Sequence, residues 1–422
     1  MKKTGASNQK SSVKTVGIIG SGPSGATLAS LLAMKGIEVT LFDDGRRPDL
    51  IVGESLIPAI VPMLRKLGLE ERAAAVCMKK PGVTFTLDAN EEIAFCFDSL
   101  AGTSTPTYAY NAPRPAFDRL FDERADELGA KRVRVRAKIE RVGTDGLRLA
   151  DETLSQAPWL KGRQPDLLVD STGRNRLFAR TMEIPAEVGP RKDVAHFAHF
   201  EGFDECTPRG QVIIGRLAAG WCWRIPLPGH MSVGTVMNKD EAAKLGSTPE
   251  QRLEAAIERD PRLSVAGKNR RRLTDVVTYT NYQLVSARGH GPGWVMTGDA
   301  FGFVDPMLSP GMFLALHSAG LVAENLDNLA AYSREMRKLI RAWMGLIEFF
   351  YDGRIFAMYE SGMIFERAFP GRVTQTLHNF FNRRVARMAS GATTTSRFGH
   401  GMLQIMSRPA GWKTNPARLA IR

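Results

Sequence analysis

Three glycines, Gly20, Gly22 and Gly25, stand in the run Gly20-Ser-Gly-Pro-Ser24-Gly25, between the apolar stretch Thr15–Ile19 and a stretch of helical character. In this spacing the first glycine permits a tight turn. The second lets the backbone approach a pyrophosphate, and the third lets helix and strand pack closely. The helix N-terminus, entered through Ser24, adds unpaired N–H groups and a partial positive charge for the phosphates. Asp43 lies 18 residues past Gly25, at the end of the next apolar run, where it would take ribose hydroxyls. Far along the chain, Val295-Met-Thr-Gly-Asp299-Ala ends a strand on a carboxylate that could accept a hydrogen bond from a flexible polyol. The helix expected from about Gly311 to Leu326 aims its positive end at an electron-rich ring. An Asp in that position is also an ordinary helix cap. Taken together, the glycine turn predicts a dinucleotide and Asp299 points to FAD rather than NAD.

These residues need a frame. Thr15–Ile19, a helix over Ala26–Lys35 and Ile37–Phe42 read as a βαβ start, with Gly36 as the helix stop. Helices are expected over Met63–Ala75, Pro115–Leu128, Glu250–Glu258, Arg334–Phe350 and Thr374–Met388. Short strands are expected at Val83–Leu87, Glu92–Phe97, Arg132–Val142, Leu167–Val169 and Trp294–Thr297. Residues 191–236 are rich in β-type runs and predict a mostly antiparallel sheet in its own layer. The fold class is thus α/β: a Rossmann-like FAD-binding domain interleaved with an antiparallel β-sheet substrate domain, plus C-terminal helices. The division expected is a disordered tail (1–14), FAD-binding parts at 15–80, 111–180 and 286–330, sheet parts at 81–110 and 181–285, and a basic helical region from 331 to 422. The last thirty or so residues show no strong pattern.

The chain has 422 residues and a net charge of +13. From Arg367 to Arg422 there are ten Lys or Arg and no Asp or Glu. Such a surface is either a solvated face or a docking site for an acidic partner. It lacks interleaved aromatic and basic residues, so specific nucleic-acid binding is not expected. Cys77, Cys96, Cys206 and Cys222 form no CxxC pair. That pattern argues against zinc and against a disulfide scaffold, and fits reduced thiols in a cytoplasmic protein. No metal and no transmembrane segment are expected.

Several further segments carry a family resemblance. Gly53-Glu54-Ser55-Leu-Ile-Pro58, Lys79-Lys80-Pro-Gly-Val-Thr-Phe85, Arg114-Pro-Ala-Phe-Asp118 and Gly220-Trp221-Cys-Trp223-Arg-Ile-Pro226 accompany the glycine turn and the late Gly298-Asp299. In these the chain resembles the FAD-dependent monooxygenase and flavin-dependent halogenase superfamily of the para-hydroxybenzoate hydroxylase fold, from about residue 15 to 330. The resemblance implies that FAD is held by Gly20, Gly22, Ser24, Gly25, Asp43, Glu54, Ser55, Arg114, Asp299, Pro306, Gly311 and Met312. It implies Lys80 as the catalytic lysine, with Trp221 and Trp223 beside the substrate. It leaves the electron source open between NAD(P)H directly and a partner flavin reductase.

One departure turns the expected chemistry. Halogenases of this kind hold halide with consecutive backbone N–H groups after Asp-Pro. Here the loop is Asp305-Pro306-Met-Leu-Ser309-Pro310-Gly311, and Pro310 has no N–H. Losing one hydrogen bond to a charged ligand costs about 1.5–3 kcal/mol. The expectation is therefore hydroxylation of an electron-rich aromatic ring through a flavin C4a-hydroperoxide, an FAD-dependent monooxygenase with Pro310 in the site. Halogenation of an aromatic or pyrrole ring is the alternative, and a flavin-dependent saturase or reductase a further one. Phe349–Tyr351, Met358-Tyr359 and Phe380-Phe381 could stack on a flat, indole-like ring, or simply form the core. The acid-free C-terminal region suggests a ring presented by a protein or carrier, such as a tryptophan within a quinone-cofactor precursor.

Overall fold

The computed structural model describes residues 12–88, 91–280, 283–406 and 416–421. Of the expected tail, residues 1–11 lie outside the described residues. Ser12 and Lys14 are held by Asp327 and Asp166 (Ser12 Oγ to Asp327 Oδ1, 3.0 Å; Lys14 N to Asp166 Oδ2, 2.9 Å).

Thr15–Ile19 is a short β-rich run, and it becomes a central strand of a six-stranded sheet. Across that sheet the strands run His290–Gly291, Trp294–Met296, Leu167–Asp170, Thr15–Ile19, Glu38–Phe42 and Lys131–Val133. All neighbours are parallel except the terminal His290–Gly291 pair. A parallel sheet is buried on both faces, which is why its strands are near-continuous Val, Ile and Leu. The helix Pro23–Ala33 packs between Arg114–Glu127 and Gly311–Glu324. The register sets Ile19 beside Asp170 and Asp170 beside Met296. The glycine turn, Ser171 and Thr297 therefore meet at the C-terminal edge of the strands, where open α/β sheets bind ligands.

The second layer is an eight-stranded sheet, antiparallel apart from the pairing of Val212–Arg216 with Gly82–Asp88. Its centre is Asp193–Glu201, His230–Asn238 and Trp221–Leu227. The mostly antiparallel layer expected for residues 191–236 is present, joined by the hairpin of Gly82–Asp88 and Glu91–Cys96.

Three local expectations change. Met63–Ala75 is two helices, Val61–Leu67 and Glu70–Val76, because Gly68 takes a left-handed conformation (φ 70°) that ends the first. Arg132–Val142 is not one strand: Lys131–Val133 joins the parallel sheet, while Ile139–Val142 pairs with Gly146–Leu149 in a separate hairpin. Beyond Leu329–Tyr351, helices Arg354–Ala368, Arg372–Ala389 and Arg397–Met406 follow, the last in a stretch that showed no pattern. Among the described residues no helix is long and apolar enough to cross a membrane, and no cluster could hold a metal ion.

Candidate functional site

The turn after the first strand is built by steric necessity. Gly20 has φ +93°, and a Cβ on Gly25 would lie 2.0 Å from the Gly20 carbonyl oxygen. Above Gly22 a Cβ would meet nothing within 4 Å. The Pro23–Ala33 helix thus opens onto free space, with no side chain capping its first N–H groups. This is a cradle of the shape a pyrophosphate needs.

One continuous cavity runs from this turn. Gly22, Ser24, Glu54, Ser55, Lys80, Arg114, Trp221, Trp223, Asp299, Pro306, Gly311 and Met312 all line it. Gly20 and Gly25 shape its turn from behind. Asp299 accepts no hydrogen bond from another described residue, and burial lifts its carboxyl to about 6, against the pull of Arg174 and Arg114. A carboxylate left open to a cavity is what a polyol hydroxyl would satisfy. Arg114 clamps Asp118 with two 2.8 Å bonds and donates to the Val52 carbonyl at 2.7 Å, fixing the loop that carries Glu54 and Ser55.

Asp43 is placed differently. Its oxygens accept from Ser21 Oγ (2.5 Å), Arg47 (2.9 and 3.2 Å), Arg134 (3.3 Å) and the Gly45 N–H (3.2 Å). These bonds, those from Ser21 and Arg47 above all, hold its carboxyl below the usual carboxylate range although burial opposes them. It does not line the cavity, and a ribose bound there would have to displace one of these donors.

Lys80 ends the strand Met78–Lys80, which pairs with Ala109–Asn111. It is 1% exposed; its Nζ donates to Ser55 Oγ (2.7 Å) and the Leu56 carbonyl (2.9 Å) and faces the Phe97 ring. Burial drives its pKa down to about 7. Lys80 therefore sits in the cavity wall and not on the surface. Trp221 and Trp223 project from one face of their strand, ring centroids 5.7 Å apart.

The loop before the Gly311–Glu324 helix is held in a costly form. Leu308 (φ 65°) and Ser309 (φ 58°) are both left-handed, which non-glycine residues seldom adopt. Asp305 anchors it: Oδ1 accepts from the Met307 N–H (2.8 Å) and from the Tyr351 hydroxyl (3.0 Å), which itself accepts from Trp221 Nε1 (3.0 Å). Tyr351 and Asp305 were invisible as a unit in the sequence, since they are 46 residues apart. Pro310, expected in the site, does not line the cavity. It is buried as the residue before the helix, and its carbonyl takes the Leu314 N–H. Gly311, Met312 and Phe313 behind it retain N–H groups with no intrahelical acceptor.

Of the aromatic stretches, Phe350 lines the cavity and Tyr351 organises the loop. Tyr359 packs on Phe95, while Phe380 is exposed and Phe381 buried. Cys77, Cys206 and Cys222 are buried, Cys96 is exposed, and all four are free.

Two family models match this chain: an FAD binding domain over residues 13–156 and a tryptophan halogenase over residues 88–352. A tryptophan 2-halogenase from Chondromyces crocatus is 30% identical over 335 residues, 76% of this chain and 62% of that one. A 1H-pyrrole-2-carbonyl-[peptidyl-carrier protein] chlorinase from Pseudomonas fluorescens is 26% identical over 374 residues, 79% of this chain and 82% of that one. The chain thus spans about three fifths of the first relative and four fifths of the second. The structure of a flavin-dependent brominase superposes with a TM-score of 0.74 at 22% identity, covering 93% of this chain and 97% of that one, and shares the fold. The cofactor is FAD. The expectation of hydroxylation over halogenation is overturned, because these relatives are halogenases by name. Pro310 was weighed too heavily: it removes one donor at a helix start that still presents several.

Proposed function

The chain belongs to the tryptophan halogenase family, and on that premise we propose that it replaces a hydrogen of an electron-rich aromatic ring by halogen. The observation that carries this reading is the single cavity, which joins the cradle at Gly22 and Asp299 to the buried Lys80 and the Trp221–Trp223 wall. Gly20, Gly22, Ser24 and Gly25 would hold the FAD pyrophosphate, and Asp299 its polyol. Glu54, Ser55, Arg114 and Pro306 would border the ring system. Bound and reduced, FAD supplies the electron pair with which dioxygen oxidises halide.

The chain's own residues do the rest. The N–H groups of Gly311 and Met312, beside the strained Leu308–Ser309 turn whose Ser309 N–H is spent on the Pro306 carbonyl (3.0 Å), form a donor set suited to a halide. Lys80 holds a proton at Nζ and, at a pKa near 7, gives it up as readily as it keeps it at neutral pH. Trp221, Trp223 and Phe350 exclude water and flank a flat ring. The helix Arg372–Ala389 closes the cavity with Val385, Ala386 and Ala389 and turns Arg372, Phe380 and Arg383 outward. With no acidic residue beyond Glu366, that outer face suits an acidic carrier domain presenting a tethered ring.

Intact-mass analysis tests the reading: protein, FAD, a flavin reductase, oxygen and bromide, with free indole and a carrier-tethered pyrrolyl thioester as acceptors. Halogenated product with the bromine isotope pattern is expected, with the tethered ring preferred. Oxygen insertion without bromine would overturn it.

A further inference from the structure

Glu54 is 2% exposed and lines the same cavity as Lys80 and Asp299. Its Oε1 lies 2.6 Å from Nε2 of His199, which stands on the Asp193–Glu201 strand of the other layer. His199 keeps 14% of its side chain exposed. Its ring lies against His230, centroids 4.4 Å apart and planes tilted by 44°, and His230 is oriented by a 3.1 Å contact from Nδ1 to the Pro228 carbonyl. His230 Nε2 has no hydrogen-bond partner among the described residues. A buried carboxylate needs a partner, and Arg114 already lies near enough to Glu54 to feel its charge. A histidine adds what an arginine cannot: its two ring nitrogens let it take a proton on one and release one from the other.

Halogenation needs that proton. In balance, X⁻ + ArH + O₂ + FADH₂ + H⁺ gives ArX + FAD + 2 H₂O, so each turnover consumes one proton inside the cavity. We propose that His199 and Glu54 form the relay that brings this proton in from solvent, an inference that rests on the halogenase reading above. The proton arrives on the His199 ring at the solvent edge and crosses from Nε2 to Glu54 Oε1 along the 2.6 Å bond. It then enters the cavity beside Ser55, whose Oγ is bonded to Lys80. His230, packed against the His199 ring, keeps His199 in the orientation that reaches Glu54.

Two substitutions separate a relay from a brace. His199→Gln can keep a donor to Glu54 but cannot pass a proton on; His199→Phe loses both. With the two acceptors named above, the relay requires His199→Gln to turn over at least about tenfold more slowly, with a larger solvent deuterium isotope effect. Its FAD dissociation constant, read by flavin fluorescence, should stay within about twofold of wild type. His199→Ala should recover turnover when imidazole is added. In the FAD-free protein a downfield ring N–H resonance of His199 should be present and should vanish in Glu54→Gln. Wild-type turnover in His199→Gln, or an altered FAD affinity with turnover restored at saturating FAD, would overturn the relay and leave the halogenase reading standing. A wild-type protein that forms no halogenated product overturns that reading and the relay with it.

Discussion

At the scale of single residues, Lys80 and Tyr351 bear the most. Lys80 is buried with a pKa near 7 instead of 10.5. Between those values the unfolded chain binds a proton that the folded chain does not, so stability rises with pH across that window. Below about pH 7 the folded protein carries the full burden of a buried ammonium. Lys80→Met should flatten this dependence, which thermal melts from pH 6 to 10 would show, while lowering halogenation by about 10²-fold or more with FAD affinity unchanged. In the wild type, product formation should fall as pH rises through about 7. Tyr351→Phe removes the hydroxyl that joins Trp221 to Asp305, leaving a buried indole N–H without its acceptor. A loss of about 1–3 kcal/mol in stability is expected, measured by urea unfolding. Because Asp305 also holds the strained loop, the halide KM should rise several-fold more than that of the aromatic substrate.

Elements carry two further tests. The Pro23–Ala33 helix reaches the first strand only because position 25 lacks a Cβ. Gly25→Ala should abolish flavin retention on purification, since the obstruction is backbone and cannot swing aside. The Arg372–Ala389 helix has two roles on two faces, cavity wall and basic exterior. The double change Arg372→Glu, Arg383→Glu should raise KM for the carrier-tethered ring about tenfold and leave free indole unaffected, since both side chains are exposed and neither lines the cavity. Equal effects on both substrates would remove the docking role. Most of these elements were readable as a pattern. The errors came where local signals competed: Gly68 cut one apolar run into two helices, and Arg132–Val142 changed partners midway.

For the molecule as a whole, one parallel sheet carries one glycine cradle, and the second layer is antiparallel. Among the described residues nicotinamide has no comparable βαβ seat. NADPH added anaerobically to the holoprotein should therefore leave the flavin absorbance unchanged until a flavin reductase is supplied; direct bleaching would assign this chain its own nicotinamide site. The interleaving also explains why site residues lie so far apart in sequence: the cavity sits between layers built from segments at both ends of the chain.

What could be read without a structure were features whose physics is local. Gly20, Gly22 and Gly25 state a turn in six residues, and Asp299 follows its strand directly. The Trp221–Trp223 pair declares a shared face through the two-residue period of a strand. Tertiary structure decided what depends on neighbours from elsewhere. Asp43 was given a ribose, yet Ser21, Arg47 and Arg134 fill its oxygens. Pro310 was judged by its missing N–H, whereas the folded loop sets it behind the cavity and leaves the N–H groups of Gly311 and Met312 after it. Tyr351 and His199 carry no motif; they matter because one helix end meets Asp305 and one strand meets Glu54. Hydrogen bonds between distant segments form only once the layers pack, so no window of sequence contains both partners. The glycine turn is legible in six residues, whereas the cavity it opens onto exists only once the layers pack.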